Sequence, residues 1–141
     1  MPVIVNLLRF TFKESTTPEE REEVLAAMRR TADVESVAFA VVGRDLGDPA
    51  EGYSHTYCVG IADLAALERY MYDPVHLEGD FVILPRLARL SAVRFSDDPS
   101  PELGARIDAI AQGKLAAHPE WGELLAAIPQ SSVLRRDSTE S

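Results

Sequence analysis

Residues 3 to 12 read VIVNLLRFTF, a run of branched and aromatic side chains too short for a buried helix. They predict a first strand with Asn6, Leu8, Phe10 and Phe12 on one face. The segment TTPEE then carries a helix start signal, with Thr17 as N-cap, Pro18 at the first helical position and Glu20 three residues after the cap. Val24, Leu25 and Met28 supply the apolar stripe of this helix, which should run to about Thr31. SVAFAVVG, residues 36 to 43, predicts a second strand, and the glycine, aspartate and proline of GRDLGDPAEG mark a loop. YSHTYCVGIA, residues 53 to 62, predicts a third strand. Alternation puts Tyr53, His55, Tyr57, Val59 and Ile61 on one face and Ser54, Thr56, Cys58 and Gly60 on the other.

Asp63 can cap a second helix whose Leu64, Leu67 and Met71 follow helical spacing. Pro74 disfavours helical geometry at Asp73, so that helix ends there. A short one starts again, with Asp73 as cap and His76 in the first turn. Residues 88 to 96, ARLSAVRFS, make the fourth strand. The order βαββαβ predicts an α+β, ferredoxin-like domain: a four-stranded sheet with helices on one face. Nothing within the domain covers the other face, so a homodimer packed sheet to sheet is expected.

The domain should span residues 1–97, followed by a helical extension over 98–130. There Ser100 and Pro101 open a helix with Leu103, Ile107, Ile110 and Leu115 as its stripe, and Pro119 opens a shorter one containing Trp121, Leu124, Leu125 and Ile128. This extension is expected beside the barrel or over a pocket mouth, with Trp121 as anchor. Residues 131–141 lack periodicity and predict a disordered tail.

Composition narrows the range of partners. A 141-residue chain with 46% hydrophobic residues forms one core and is too short for two ordinary domains. A net charge of −9, a pI near 4.7 and the absence of basic runs argue against nucleic acid and anionic membrane as partners. No apolar run approaches the roughly 18 residues of a membrane span, and MPVIVNLLRF lacks a basic leader, so a cytoplasmic location is expected. Cys58 is the sole cysteine, which rules out an intrachain disulfide. Arginine outnumbers lysine and alanine is abundant, a composition typical of GC-rich bacterial genomes.

The stretch RYMYDPVHLEGD, residues 69 to 80, gathers the chemistry-bearing side chains. Tyr70 falls on the buried stripe, Tyr72 points elsewhere, to a rim or dimer surface, and His76 can converge with Tyr70 across the proline break. The positive end of the helix dipole favours a neutral His76, whereas Asp73, Glu78 and Asp80 favour imidazolium; both remain open at this level. On residues alone, His76 reads equally as a capping histidine, Tyr70 as core, and His55 and Asn6 as satisfied buried polar groups. His55 and His76 with Glu78 or Asp80 would make only a loose ligand set, without H-x-H or H-E-x-x-H spacing, so no metal is expected. His118, before Pro119, fits a helix boundary.

FTFK at the end of the first strand, EGYSHTYCVGI and ERYMYDPVH together resemble the stress-responsive A/B barrel (Dabb) family of the dimeric α+β barrel superfamily. The resemblance covers about residues 3 to 96 and rests on G-Y-[ST]-H followed by Y-x-x-x-P-x-H. The best understood enzymes of the family are polyketide cyclases of the olivetolic acid type, which close a ring by cofactor-independent intramolecular aldol condensation. The resemblance implies Tyr70 and His76 as catalytic residues, and a pocket between sheet and helices with His55 on its third strand. Where those cyclases carry a histidine on the first strand, this chain has Asn6. Tyr53, Tyr57 and Phe10 would be pocket walls.

The implied activity is cyclisation of a polyketide-like, carbonyl-rich substrate in bacterial specialised metabolism, with no cofactor, His76 as base and Tyr70 as proton donor. Two other readings stand beside it: a cofactor-independent monooxygenase of the same superfamily, and a stress-associated dimer that binds a small apolar ligand without turnover.

Overall fold

The computed structural model describes residues 2–132. A nine-residue run rich in branched and aromatic side chains forms β1 (Ile4–Phe12) at the centre of an antiparallel sheet, paired on one side with β3 (His55–Ile61) and on the other with β4 (Leu87–Ser96). Adding the outer strand β2 (Phe39–Arg44) gives the order β2-β3-β1-β4, and the helices α1 (Pro18–Ala32), α2 (Leu64–Tyr72) and α3 (Pro74–Ile83) complete the ferredoxin-like βαββαβ unit.

The start of α1 follows its sequence signal. Thr17 Oγ1 accepts from the Glu20 N–H and the Glu20 carboxylate accepts from the Thr17 N–H, so two donors that the helix leaves orphaned find partners. Asp63 caps α2 by accepting from Ala66 N–H, and Asp73 caps α3 by accepting from Val75 N–H. The helix opened by Asp73 and Pro74 runs ten residues, longer than the short helix the sequence predicts. It can pack closely on α1 because position 79 is glycine: a Cβ there would meet Thr31 Oγ1 at 3.0 Å.

β2 begins at Phe39 rather than 36, since residues 34 to 37 turn off the end of α1 with a Val37 N–H to Val34 O bond. β3 begins at His55 rather than 53: Gly52, at φ +81°, redirects the chain ahead of it. Tyr53 therefore escapes the predicted alternation and lies beneath the guanidiniums of Arg9 and Arg89, whose positions on β1 and β4 belong to the face away from the helices.

On the helix-facing side, Ile4, Phe10, Phe12, Tyr57, Val59, Ile61, Leu87 and Leu90 pack against Val24, Met28, Leu67 and Met71 in one core. The opposite face carries exposed Phe39, Val41, Val93 and Phe95. Phe39 lies flat across Gly60, where any Cβ would collide with its ring. Arg9 pins the 45–51 loop over this side through Asp45 and Glu51, and Thr56 donates to the same Asp45.

Beyond β4 the extension forms α4 (Leu103–Ala117) and α5 (Pro119–Ala126), packed on α2 and α3. The predicted cap is corrected here. Ser100 donates its hydroxyl to the Glu102 carboxylate, α4 begins two residues after Pro101, and Glu102 stands at its N-cap without capping the helix through its side chain. Ile107, Leu125 and Ile128 join the main core, and burying each such side chain contributes about 1.5–3 kcal/mol, which keeps the arm docked. Gln130 and Ser131 then form β5, a parallel strand on the free edge of β4, where the sequence predicts an unstructured tail from 131 onward. Ser132 N–H bonds to Leu90 O, and the remainder of that predicted tail lies outside the described residues.

Thr17→Ala should cost about 1 kcal/mol in urea denaturation, since it removes one side of the reciprocal cap. An unchanged midpoint would show that the bond contributes nothing.

Candidate functional site

The two helices that meet at Asp73 and Pro74 create the site. In a continuous helix the Tyr70 carbonyl would accept the N–H of residue 74, but proline has none. Asp73 N–H reaches that carbonyl only at 3.3 Å, and His76 Nδ1, brought back by the first turn of α3, lies 3.0 Å from it. A carbonyl only accepts, so Nδ1 carries the hydrogen and Nε2 of the neutral ring keeps its lone pair. The Tyr70 and His76 rings meet at 4.5 Å between centroids, tilted by 42° to one another.

The Tyr70 side chain runs inward, almost fully buried, and its hydroxyl meets the hydroxyl of Tyr57 and the amide of Asn6. Burial pushes both phenols well above their ordinary range, so both stay protonated and able to donate. Burial likewise pushes the His76 imidazole below its ordinary 6.5, with the Lys114 ammonium adding to the effect. Asp80, the bond to the Tyr70 carbonyl and Asp73 oppose it without reversing it. The question left open between helix dipole and acidic neighbours is thus decided chiefly by desolvation, in favour of the neutral base.

Asn6, Thr31, Tyr57, Tyr70, His76 and Asp80 share a cavity of about 50 Å³, closed by apolar walls from α1, α3 and β4. Its polar end is a proton-accepting nitrogen facing two phenols and an amide. Of the residues singled out from sequence, Asn6, Tyr57, Tyr70 and His76 meet here. His55 lies apart, stacked on its cross-strand partner Phe10, edge-on to Phe12, with Nδ1 2.9 Å from Ser54 Oγ. Phe10 is core beneath it, and Tyr53 stands on the other side of the sheet. Tyr72 packs toward the extension, near His118 and Gly113. Among the described residues, no three His, Cys, Asp or Glu side chains come together in a metal-holding group.

Lys114 was not singled out from sequence, and Asp80, read there as a charge near His76 and a loose ligand candidate, has a partner that the sequence did not disclose. Asp80 sits one helical turn after His76, its Oδ2 3.5 Å from Nε2 and accepting from Trp121 Nε1–H at 2.8 Å. Lys114 is fully buried, its ammonium 4.0 Å from the centroid of the Trp121 ring. Its signal was present: Lys114 stands seven residues after Ile107, on the apolar stripe of α4, where a charged side chain is out of place.

These features define a ferredoxin-like α+β domain with a tyrosine–histidine pocket between sheet and helices. The model of the stress responsive A/B barrel domain, Dabb, matches residues 4–97, and the chain belongs to that family. It is similar in structure to a dimeric ferredoxin-like protein of unknown function from Thermobifida fusca, at 25% identity and TM-score 0.59, covering 67% of this chain and 90% of that one. It also resembles a Dabb protein from Mesorhizobium loti, at 20% identity and TM-score 0.58, over 71% of this chain and 99% of that one. A hydroxynitrile lyase from Passiflora edulis shares the fold at 16% identity and TM-score 0.62, over 70% and 95% of the two chains. No curated protein matches the chain. Among the described residues, no helix is long and apolar enough to cross a membrane.

Because folding lowers the His76 pKa below 6.5, the unfolded chain binds more protons as pH falls through that value. Stability should therefore be fully present above about pH 6.5 and decline on acidification until the folded-state pKa is reached. Urea melts between pH 8 and 5 should show this fall, and His76→Gln should flatten it, leaving the smaller contribution of the similarly depressed His55. Equal slopes in the two proteins would contradict neutral burial of His76.

Proposed function

We propose that the pocket is the active site of a cofactor-independent enzyme that makes or breaks a carbon–carbon bond beside a carbonyl by proton transfer. The observation that carries this is the pairing of an acceptor nitrogen at His76 Nε2 with the protonated phenols of Tyr70 and Tyr57 along one cavity. In an aldol-type cyclisation His76 takes the proton between two carbonyls of a polyketide-like substrate, and Tyr70 donates a hydrogen bond to the enolate or alkoxide oxygen. Asn6 and Tyr57 orient that oxygen. Fixed donors in a dry site cost no reorganisation as charge develops, which is the main advantage such a pocket has over water.

The cavity size bears on the substrate. Ligand pockets for drug-sized molecules run to roughly 300–1,000 Å³, so a cavity of about 50 Å³ favours a compact carbonyl compound over a long poly-β-keto chain. This supports a second reading of the same machinery. A hydroxynitrile lyase, the activity named for one protein of this fold, separates a carbonyl compound from cyanide, and a base that removes a hydroxyl proton serves that reaction as well.

We further read the exposed apolar sheet face as a homodimer interface; the similar protein from Thermobifida fusca is dimeric. Phe39 and Val41 on β2 and Val93 and Phe95 on β4 flank that face, and a second copy would remove them from water.

The test is turnover by mass spectrometry on a panel of linear poly-β-ketides, short β-hydroxyketones and cyanohydrins, with oxygen uptake followed in parallel. His76→Ala and Tyr70→Phe should each lower kcat on the order of 10²-fold or more while the protein stays folded. Full activity in His76→Ala would sink the assignment; product that requires oxygen would move the protein to the monooxygenases, and saturable binding without product to the ligand carriers. Separately, Val41→Asp should convert the dimer to monomer in light scattering, and an unchanged mass would place the interface elsewhere.

A further inference from the structure

The family match ends at residue 97, yet the charges that surround His76 do not. Asp80 accepts a hydrogen bond at 2.8 Å from Trp121 Nε1 of α5, through the same oxygen that faces His76 Nε2. Lys114 of α4 rests its ammonium on the Trp121 ring, fully buried, and among the described residues no hydrogen-bond acceptor reaches its Nζ. A buried ammonium without an acceptor is expensive, and an apolar side chain on the same stripe would avoid that cost. Burial, helped by Arg94, pushes its pKa down to about 8 against the pull of Asp80.

We propose that the helical extension is a working part of the site: Trp121 and Lys114 are positioning residues that fix the Asp80 carboxylate beside His76 and temper its pull on the imidazole. The proposal rests on His76 being the base, and it adds where that base gets its strength. When a substrate proton moves to Nε2, the imidazolium that forms stands 3.5 Å from the Asp80 carboxylate, which stabilises it. Before that moment the carboxylate alone would draw a proton onto the ring prematurely. The Trp121 N–H occupies one of its lone pairs and the Lys114 charge offsets its potential. The remaining groups facing the imidazole are Tyr70 from α2, Tyr57 from β3 and Asp73 at the start of α3, and of these only Asp73 carries a charge at neutral pH.

The experiment is a histidine NMR titration of the full chain, with the His76 signal identified by its loss in His76→Gln. Lys114→Met should raise the pH at which His76 titrates by on the order of one unit, and Lys114→Arg, which keeps the charge, should leave it near its original position. Trp121→Phe, which keeps the ring and removes the N–H, should move it upward too, whereas Asp80→Asn should move it down. An unmoved His76 in Lys114→Met, or the same upward shift in Lys114→Met and Lys114→Arg, would overturn the proposal, since the latter signals mere loosening. If Lys114→Met does not fold, the opposite signs expected of Trp121→Phe and Asp80→Asn decide the matter. No turnover enters this readout. An unknown substrate therefore cannot mask the result, and an inactive protein with the expected shifts would refute only the catalytic reading.

Discussion

A missing hydrogen governs this site. Pro74 cannot donate to the Tyr70 carbonyl, and the acceptor so released is taken by His76 Nδ1. That one bond selects the imidazole tautomer, turns Nε2 toward the cavity and ties the backbone of one catalytic candidate to the side chain of the other. It also explains the spacing Y-x-x-x-P-x-H in physical terms. The proline stands four residues after the tyrosine because that is where a helix would otherwise have used the carbonyl, and the histidine follows two later because the first turn of the next helix returns it to the vacancy. Asp73 makes the junction affordable by capping α3 while ending α2.

Around that junction, burial does the electrostatic work. The same loss of water that holds two phenols protonated holds the imidazole unprotonated, so donor and acceptor forms coexist without a metal-like point charge at the cavity wall. The nearby charges, Asp80 and Lys114, act on the histidine with opposite sign. They also come from different parts of the chain: the carboxylate lies within the residues the family model matches and the ammonium beyond them.

Much of this was legible before any coordinates. The capping box at Thr17, the break at Pro74 and the alternation along β1 act within a few residues, and local rules suffice to read them. Tyr70 could be placed on a buried stripe and His76 in a first turn for the same reason. What escaped was set by contacts distant in sequence. Tyr53 left its expected face because two arginines on neighbouring strands capture its ring, and His55 turned to Phe10 and Phe12 rather than the cavity. Asp80 was visible only as a local charge, since its partner Trp121 is 41 residues away. β5 was unreadable because two residues carry no periodicity at all; the free edge of β4 gives them their conformation.

That small strand has a consequence for assembly. A sheet with two open edges can grow in both directions and so polymerise without end. Here Gln130 and Ser131 occupy one edge, and Arg89 fastens them by donating to the Gln130 side chain and to the Glu51 carbonyl. Their cover extends over Arg89 and Leu90 of the β4 edge, while β2 forms the other edge of the sheet. A strand approaching the β4 side would find the backbone groups at these two positions already taken, so edge-to-edge growth is blocked where Gln130 and Ser131 lie.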